Sequence, residues 1–324
     1  MTVEVLKPGL ATTVQDAGRP GYYHLGIPLS GALDQYAFRA ANLLVGNEEG
    51  AAVLEAALIG PELLFHTPTL VAVTGAQSTP KLNGVEQARY SSFAVHAGDR
   101  LGFGPMRLGA RIYIAFAGGI DVPLVLGSRS TYGLGAFGGY EGRRLATHDR
   151  LPIGRAGDCG ITGRELPAEL HAPLVKEAEL RTLPGLYDHR VTVESLARFH
   201  ADAWTVGAEA DRIAYRFKGG QPLDWRPREQ PFGAGSDPSN IVDAGYPYGS
   251  IQVPGGVEPI VLHRDAVSGG GYAMIGTVIS ADMDLLGQLQ PNCKVRFVPV
   301  DMDAALAARA RREARFAALR AALA

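Results

Sequence analysis

Cysteine is nearly absent from this chain: Cys159 and Cys293 are the only two among 324 residues, and they form no CxxC pair. That excludes a cysteine-built zinc site and fits two buried, inert thiols in a reducing compartment. An excess of either charge is missing as well. With 31 basic residues against 33 acidic ones the net charge is −2, so no electrostatic footprint for nucleic acid or an anionic membrane is expected. No apolar run reaches transmembrane length, and the opening stretch Met1–Leu10 carries Glu4 and Lys7, unlike a signal peptide. A cytoplasmic location is the expectation. The eight histidines never fall into HExxH or another ligand spacing, so no metal site is expected. There is no Walker A sequence and no GxSxG elbow. Gly133-Leu134-Gly135-Ala136-Phe137-Gly138 spells GxGxxG, yet no strand leads into it and Gly139-Tyr140-Glu141-Gly142 is a poor helix start. His263-Arg264-Asp265 imitates a kinase triplet, but Gly270 stands where the metal-binding Asn belongs.

What is abundant is glycine and proline, 41 and 21 residues, alongside 46% hydrophobic residues, which points to a large core built from short strands with many turns. Four short patterns recur in the same order at a slowly growing offset. Leu6–Gly9 matches Thr182–Gly185, and Asp34–Arg39 matches Asp211–Arg216. Val53–Ala56 matches Ile241–Ala244, and Asp99–Phe103 echoes Cys293–Phe297. The reading is two copies of one β-rich supersecondary unit, 1–105 and 178–300, with a connecting segment 106–177 carrying Gly- and Arg-rich loops and a C-terminal helix over 301–324. Thr69–Val73, Val95–Phe103, Pro259–Leu262 and Lys294–Val298 read as strands. A helix is expected after Asp34, with Tyr36, Ala37, Ala40, Leu43 and Leu44 on one stripe and Gly46 ending it. In the C-terminal helix Met302, Leu306, Phe316, Leu319 and Leu323 are the apolar candidates.

Four polar, glycine-rich loops are the candidates for chemistry, each with a structural alternative. Thr12–Tyr22 offers Gln15, Asp16 and Arg19 between glycines, either as a ligand contact or as a hydrogen-bonded turn in which Asp16 pairs with Arg19. Gly26–Asp34 leads into a helix N-terminus, where Ser30 or Asp34 serves as a cap or as a ligand group. Leu126–Thr131 with Gly138–Arg144 presents the planar forks of Arg129 and Arg143 beside the hydroxyls of Ser128, Ser130 and Thr131, a pattern suited to a carboxylate or phosphate. Gly249–Gly256 with Asp265–Tyr272 places Gln252, Asp265 and Tyr272 near three consecutive glycines, where a flat amide could lie against main chain.

These loops also carry a family likeness. Thr12-Thr13-Val14-Gln15-Asp16 with Gly18-Arg19, Ser30–Asp34, Ala41–Asn47, Leu126–Thr131, Gly138-Gly139 with Gly142-Arg143, and Ile251–Pro254 together resemble the family of 5-oxoprolinase C-type subunits, allophanate hydrolase subunit 2 or kinase-inhibitor antagonists, within the biotin-dependent carboxyltransferase superfamily. The resemblance implies a mainly β fold of two cyclophilin-like β-barrel units. It implies a B-type partner, the kinase-inhibitor-like carboxyltransferase half, and a small amide substrate, with a further A-type partner in the 5-oxoprolinase case. For the 5-oxoprolinase case it implies ATP-dependent opening of 5-oxo-L-proline to glutamate, with ATP acting at the level of the complex. The alternative is carboxyl transfer to urea, with biotin as carrier, or regulatory binding of a kinase-inhibitor-like partner. In either enzyme reading Arg129 and Arg143 would hold an anion, Asp34 and Asp265 would orient the amide, and Tyr272 would line the pocket. Val267-Ser268-Gly269-Gly270-Gly271-Tyr272 and Val257-Glu258-Pro259 depart from the family pattern and leave the substrate open.

Overall fold

The computed structural model describes residues 1–156 and 162–324, so Cys159 lies outside the described residues. The chain forms two compact units, one of 1–19, 30–174 and 313–324, the other of 20–29 and 175–312.

In the first unit two antiparallel sheets enclose a core. One has six strands in the order Arg150–Pro152, Thr2–Lys7, Glu62–Phe65, Arg100–Phe103, Pro80–Leu82, Val85–Glu86; the other has five, Ala11–Gln15, Val53–Ala57, Arg111–Phe116, Thr69–Gly75, Ser92–Val95. Alternation along the strands sends Val3, Val5, Leu63 and Phe65 to the same interior as Val14, Leu54, Ile112 and Ile114. Arg111–Phe116 is buried along its whole length because its outer face is covered too, by helix α1 (Gln35–Leu44). The segment expected to be a connector, 106–177, therefore supplies this unit's central strand, paired on one side with Val53–Ala57 and on the other with Thr69–Gly75. Helix α1 packs Tyr36, Ala37, Ala40 and Leu44 onto that face together with Phe316, Leu319 and Leu323. Burying each of the larger of these side chains contributes on the order of 2 kcal/mol.

In the second unit seven strands close a barrel: Glu177–Pro184, Met274–Val278, Ser250–Gln252, Ile260–Leu262, Ala214–Lys218, Trp204–Ala210 and Lys294–Pro299, the last returning parallel to the first. Leu180, Trp204, Tyr215, Phe217, Ile251, Val261 and Phe297 belong to its core. Helix α2 (Val193–Ala201), capped by Thr192 whose hydroxyl accepts from Ser195 N–H, adds Phe199, stacked on Phe297 at 4.9 Å. Helix α3 (Met283–Gln288) contributes Met283 and Leu286 to the same core, and α4 (Met302–Leu323) ends the chain. A separate ribbon pairs Asn240–Gly245 with Gly269–Tyr272. The fold is mainly β, with one barrel fully closed.

Several local expectations change in the structure. Val95–Phe103 is not one strand: Gly98 adopts a positive φ and the Asp99 carboxylate accepts from His96 N–H, which turns the chain between Ser92–Val95 and Arg100–Phe103. The matched residues Asp34 and Asp211 make the same local cap, accepting from N–H groups two and three residues on, but Asp34 opens a helix while Asp211 opens the strand Ala214–Lys218. In α4, Met302 and Leu306 stay exposed, and the small Ala305 and Ala308 are the residues that pack in the second unit.

Candidate functional site

In the first unit the predicted loop residues converge around Asp16. Its carboxylate accepts from Gly18 N–H at 2.8 Å, Ser128 Oγ at 2.6 Å, Ser130 Oγ at 2.5 Å and Arg129 N–H at 2.5 Å. Ser130 Oγ in turn accepts from Asp16 N–H. Gln15 continues the network, donating from Nε2 to Thr13 Oγ1 and Thr131 O while its Oε1 accepts from Gly31 N–H. Thr131 Oγ1 donates to Val14 O. Arg19, fully buried, donates to Ser130 O and lies over the Phe137 ring at 4.9 Å. Gln15, Arg19, Ser128, Ser130 and Thr131 are thus brought together, and they bind one another as a frame. Asp16 is the hub.

The excursion that carries Ser30 is closed at its base. Ala32 N–H donates to Asp16 O, and a Cβ on Gly31, whose φ is +86°, would meet Gly18 N at 2.7 Å, so only glycine lets the two chain segments approach. Ser30 is buried there at a φ of +49°. Asp34 is the helix cap, accepting from Tyr36 and Ala37 N–H. Its own N–H donates to Tyr113 Oη, which donates to Glu55 Oε2 at 2.9 Å, and Glu55 also accepts from Leu33 N–H. Burial and then the Glu55 charge push the Tyr113 hydroxyl well above its usual pKa, so it stays protonated. Glu55, a charged residue in the apolar run Val53–Ala57, was passed over in the sequence as a site residue; its isolation among apolar neighbours is the signal that could have found it.

The two arginine forks differ. Arg129 holds exposed Asp121 at 2.9 Å and donates from Nε to Val122 O. Arg143 is clamped by Asp149 at 2.7 and 2.9 Å and by Glu141 at 2.7 Å, and Asp149 in turn is held below the usual carboxylate range chiefly by that arginine. Arg143 is thus a structural tie, whereas an exposed pair such as Arg129–Asp121 contributes only about 0–1 kcal/mol and is exchangeable. Beside it lies a cavity of about 500 Å³ lined by Val122, Val125, Phe137, Tyr140 and the backbone of Gly138 and Gly139. The GxGxxG stretch is a turn bridged by Tyr132 and Phe137, with no helix following.

In the second unit Asp265 is buried in a bidentate pair with Arg212, at 2.8 and 3.1 Å. Gln252 is buried in the barrel strand Ser250–Gln252. Tyr272 stands on the ribbon, 42% exposed, its backbone N–H and C=O both bonded to the Tyr246 hydroxyl at 2.7 and 2.8 Å. Tyr246 was not singled out in the sequence. Among the described residues no group of three or more His, Cys, Asp or Glu side chains is placed to hold a metal ion, and no helix is long and apolar enough to cross a membrane.

A β-rich pair of units with glycine- and hydroxyl-bearing loops defines the class. Residues 25–299 match the model of the carboxyltransferase domain, subdomain A and B, and the chain belongs to that family. It is 36% identical over 307 residues to the C-type subunit of 5-oxoprolinase from Escherichia coli, covering 95% of this chain and 94% of that one. It is also 36% identical over 319 residues to urea amidolyase of Lachancea kluyveri, covering 93% of this chain and 17% of that protein. The chain therefore spans about a sixth of the urea amidolyases it matches. The structure of Kluyveromyces lactis urea carboxylase superposes with a TM-score of 0.91 at 35% identity, over 99% of this chain and 29% of that one.

Proposed function

We propose that the chain is the C-type subunit of a cytoplasmic, heteromeric, ATP-dependent 5-oxoprolinase, which opens 5-oxo-L-proline with water and ATP to L-glutamate. The observation that carries this reading is the end-to-end correspondence with the Escherichia coli protein, 95% of one chain against 94% of the other. ATP would be used at the level of the complex; the sequence of this chain has no Walker A loop. The B-type subunit, which is the kinase-inhibitor-like half, and the A-type subunit are the partners this reading requires.

Polarising a lactam carbonyl requires fixed donors in a site that excludes water, because charge develops on oxygen as the ring amide is attacked. In the first unit Arg129 would trade Asp121 for the substrate carboxylate, next to the glycine-lined cavity, while Asp16, Ser128, Ser130, Thr131, Gln15 and Arg19 would keep that loop rigid. Asp34, committed to the helix cap, would position chain and not contact substrate. In the second unit the half-exposed Tyr272 would contact substrate, while Asp265, paired with Arg212, and the buried Gln252 would support the site.

The second reading is a carboxyltransferase component acting on urea with biotin as carrier, favoured by the superposition on the urea carboxylase structure. Assaying the assembled complex for glutamate from 5-oxoproline plus ATP, and separately for carboxybiotin-dependent consumption of urea, distinguishes the two. Activity only in the second assay overturns the first reading. Arg129→Ala should lower turnover by about tenfold or more while partner capture is retained; unchanged turnover removes Arg129 from the site.

A further inference from the structure

Within the second unit a cavity of about 1000 Å³ opens between α2 and the barrel wall, away from Asp265, Gln252 and Tyr272, none of which lines it. Its body is apolar, with Leu196 and Phe199 from the helix and Ile251 and Ile275 from the strands. The polar character of its wall is one-sided. Among the described residues lining it there is no lysine or arginine, and two carboxylates, Asp188 and Asp301, are present. Asp301 accepts from Ala304 N–H at the start of α4, and neither acid has a cationic partner among the described residues. Its two hydroxyls are already engaged: Thr182 donates to Val298 O, and Thr277 faces Met274 Sδ. His200 completes the pattern. Its Nδ1 lies 3.1 Å from Phe297 O and must be the donor, since a carbonyl only accepts, which leaves Nε2 as a lone-pair acceptor. Burial lowers the pKa of this imidazole and keeps it neutral. Pro184, Pro247 and Pro299 bring no N–H to the rim.

A half-enclosed apolar space of this size suits a small molecule, and a wall that supplies acceptors and negative charge selects for a donor that is positive. We propose that this cavity binds a small organic cation, an alkyl- or aryl-ammonium whose apolar body lies between α2 and the barrel while its ammonium meets the Asp188 and Asp301 carboxylates. The inference does not depend on which amide the family site acts on.

The test is calorimetric titration of the full-length chain with phenethylammonium, 2-phenylethanol and 3-phenylpropionate, which share an aryl body and differ in charge. Saturable binding of the ammonium with Kd below about 1 mM is expected, with the alcohol at least about tenfold weaker and the acid weaker still. Ala197→Trp, at an exposed helix position on the cavity wall, should abolish binding by filling the space, and Asp188→Asn with Asp301→Asn should cost the ammonium about tenfold while leaving the alcohol unchanged. Equal affinity for all three probes, no saturable binding of the ammonium, or binding that survives Ala197→Trp would each overturn the proposal. Saturation only by a lysine-bearing amphipathic peptide would overturn it in favour of a docking groove.

Discussion

Ser128 Oγ donates to Asp16 Oδ1 at 2.6 Å across 112 residues of chain, and this contact fastens the arginine-bearing loop to the end of the strand Ala11–Gln15. Because Ser130 Oγ and Arg129 N–H converge on the same carboxylate, Asp16 determines where the Arg129 side chain leaves the loop.

Asp16→Asn should therefore be costly in two ways. An amide can accept from fewer of these donors and directs N–H groups at others, so a loss of about 2–4 kcal/mol is expected in urea unfolding. Turnover of the complex should fall as well, even under conditions where the variant is fully folded. A variant as stable as the parent would show that the four contacts do not hold the loop.

Two glycines of the same region separate backbone strain from steric overlap. Gly139 has a φ of +56° and a Cβ there would overlap Thr131 Oγ1, whereas Gly127, at +76°, faces nothing within 4 Å. Gly127→Ala should cost about 1 kcal/mol, the strain of a left-handed alanine. Gly139→Ala should cost more than about 2 kcal/mol, because Thr131 must move and it is tied to Val14 O. Equal melting shifts for the two variants would contradict this packing.

Acid should weaken the first unit through Glu4. Its carboxylate accepts from His66 Nε2 at 3.0 Å and His148 Nδ1 at 3.3 Å, which hold it below the usual carboxylate range, with Arg150 adding a further pull. A carboxyl group with a lower pKa folded than unfolded adds stability that is present above the unfolded value of about 4.3 and is lost as pH falls through the folded value. The urea midpoint of the parent should thus exceed that of Glu4→Gln at pH 7, and the gap should close on acidification below about pH 4. A gap that is independent of pH would remove Glu4 from the acid transition.

Sequence and structure agree where the deciding interaction is local. Asp34 was legible as a cap because capping needs only the N–H groups two and three residues on, whereas the stretches read as polar loops include the strands Ala11–Gln15, Ser250–Gln252 and Gly269–Tyr272, and most of their hydroxyl, amide and carboxylate side chains are buried. Agreement fails where the partner is remote. Asp16 and Arg19 looked like a turn pair at a spacing of three, but the ligands of Asp16 include Ser128 and Ser130. Arg143 looked like an anion fork of the same kind as Arg129, and here the partners were near: Glu141 and Asp149, two and six residues away, hold it, a local pairing that was passed over.

By itself the amino-acid order determined that this protein is a β-rich chain of short strands and where the helices Gln35–Leu44 and Met302–Leu323 start, though not Val193–Ala201, because strand alternation, capping and turn formation act over a few residues. Only the tertiary structure decided that Arg111–Phe116 is a central strand, that Ser128 and Ser130 reach Asp16, and that acids and a neutral imidazole gather around an apolar cavity beside α2. Those outcomes depend on which distant groups become neighbours when the sheets close, and a carboxylate or guanidinium takes its role from the partner the fold delivers to it.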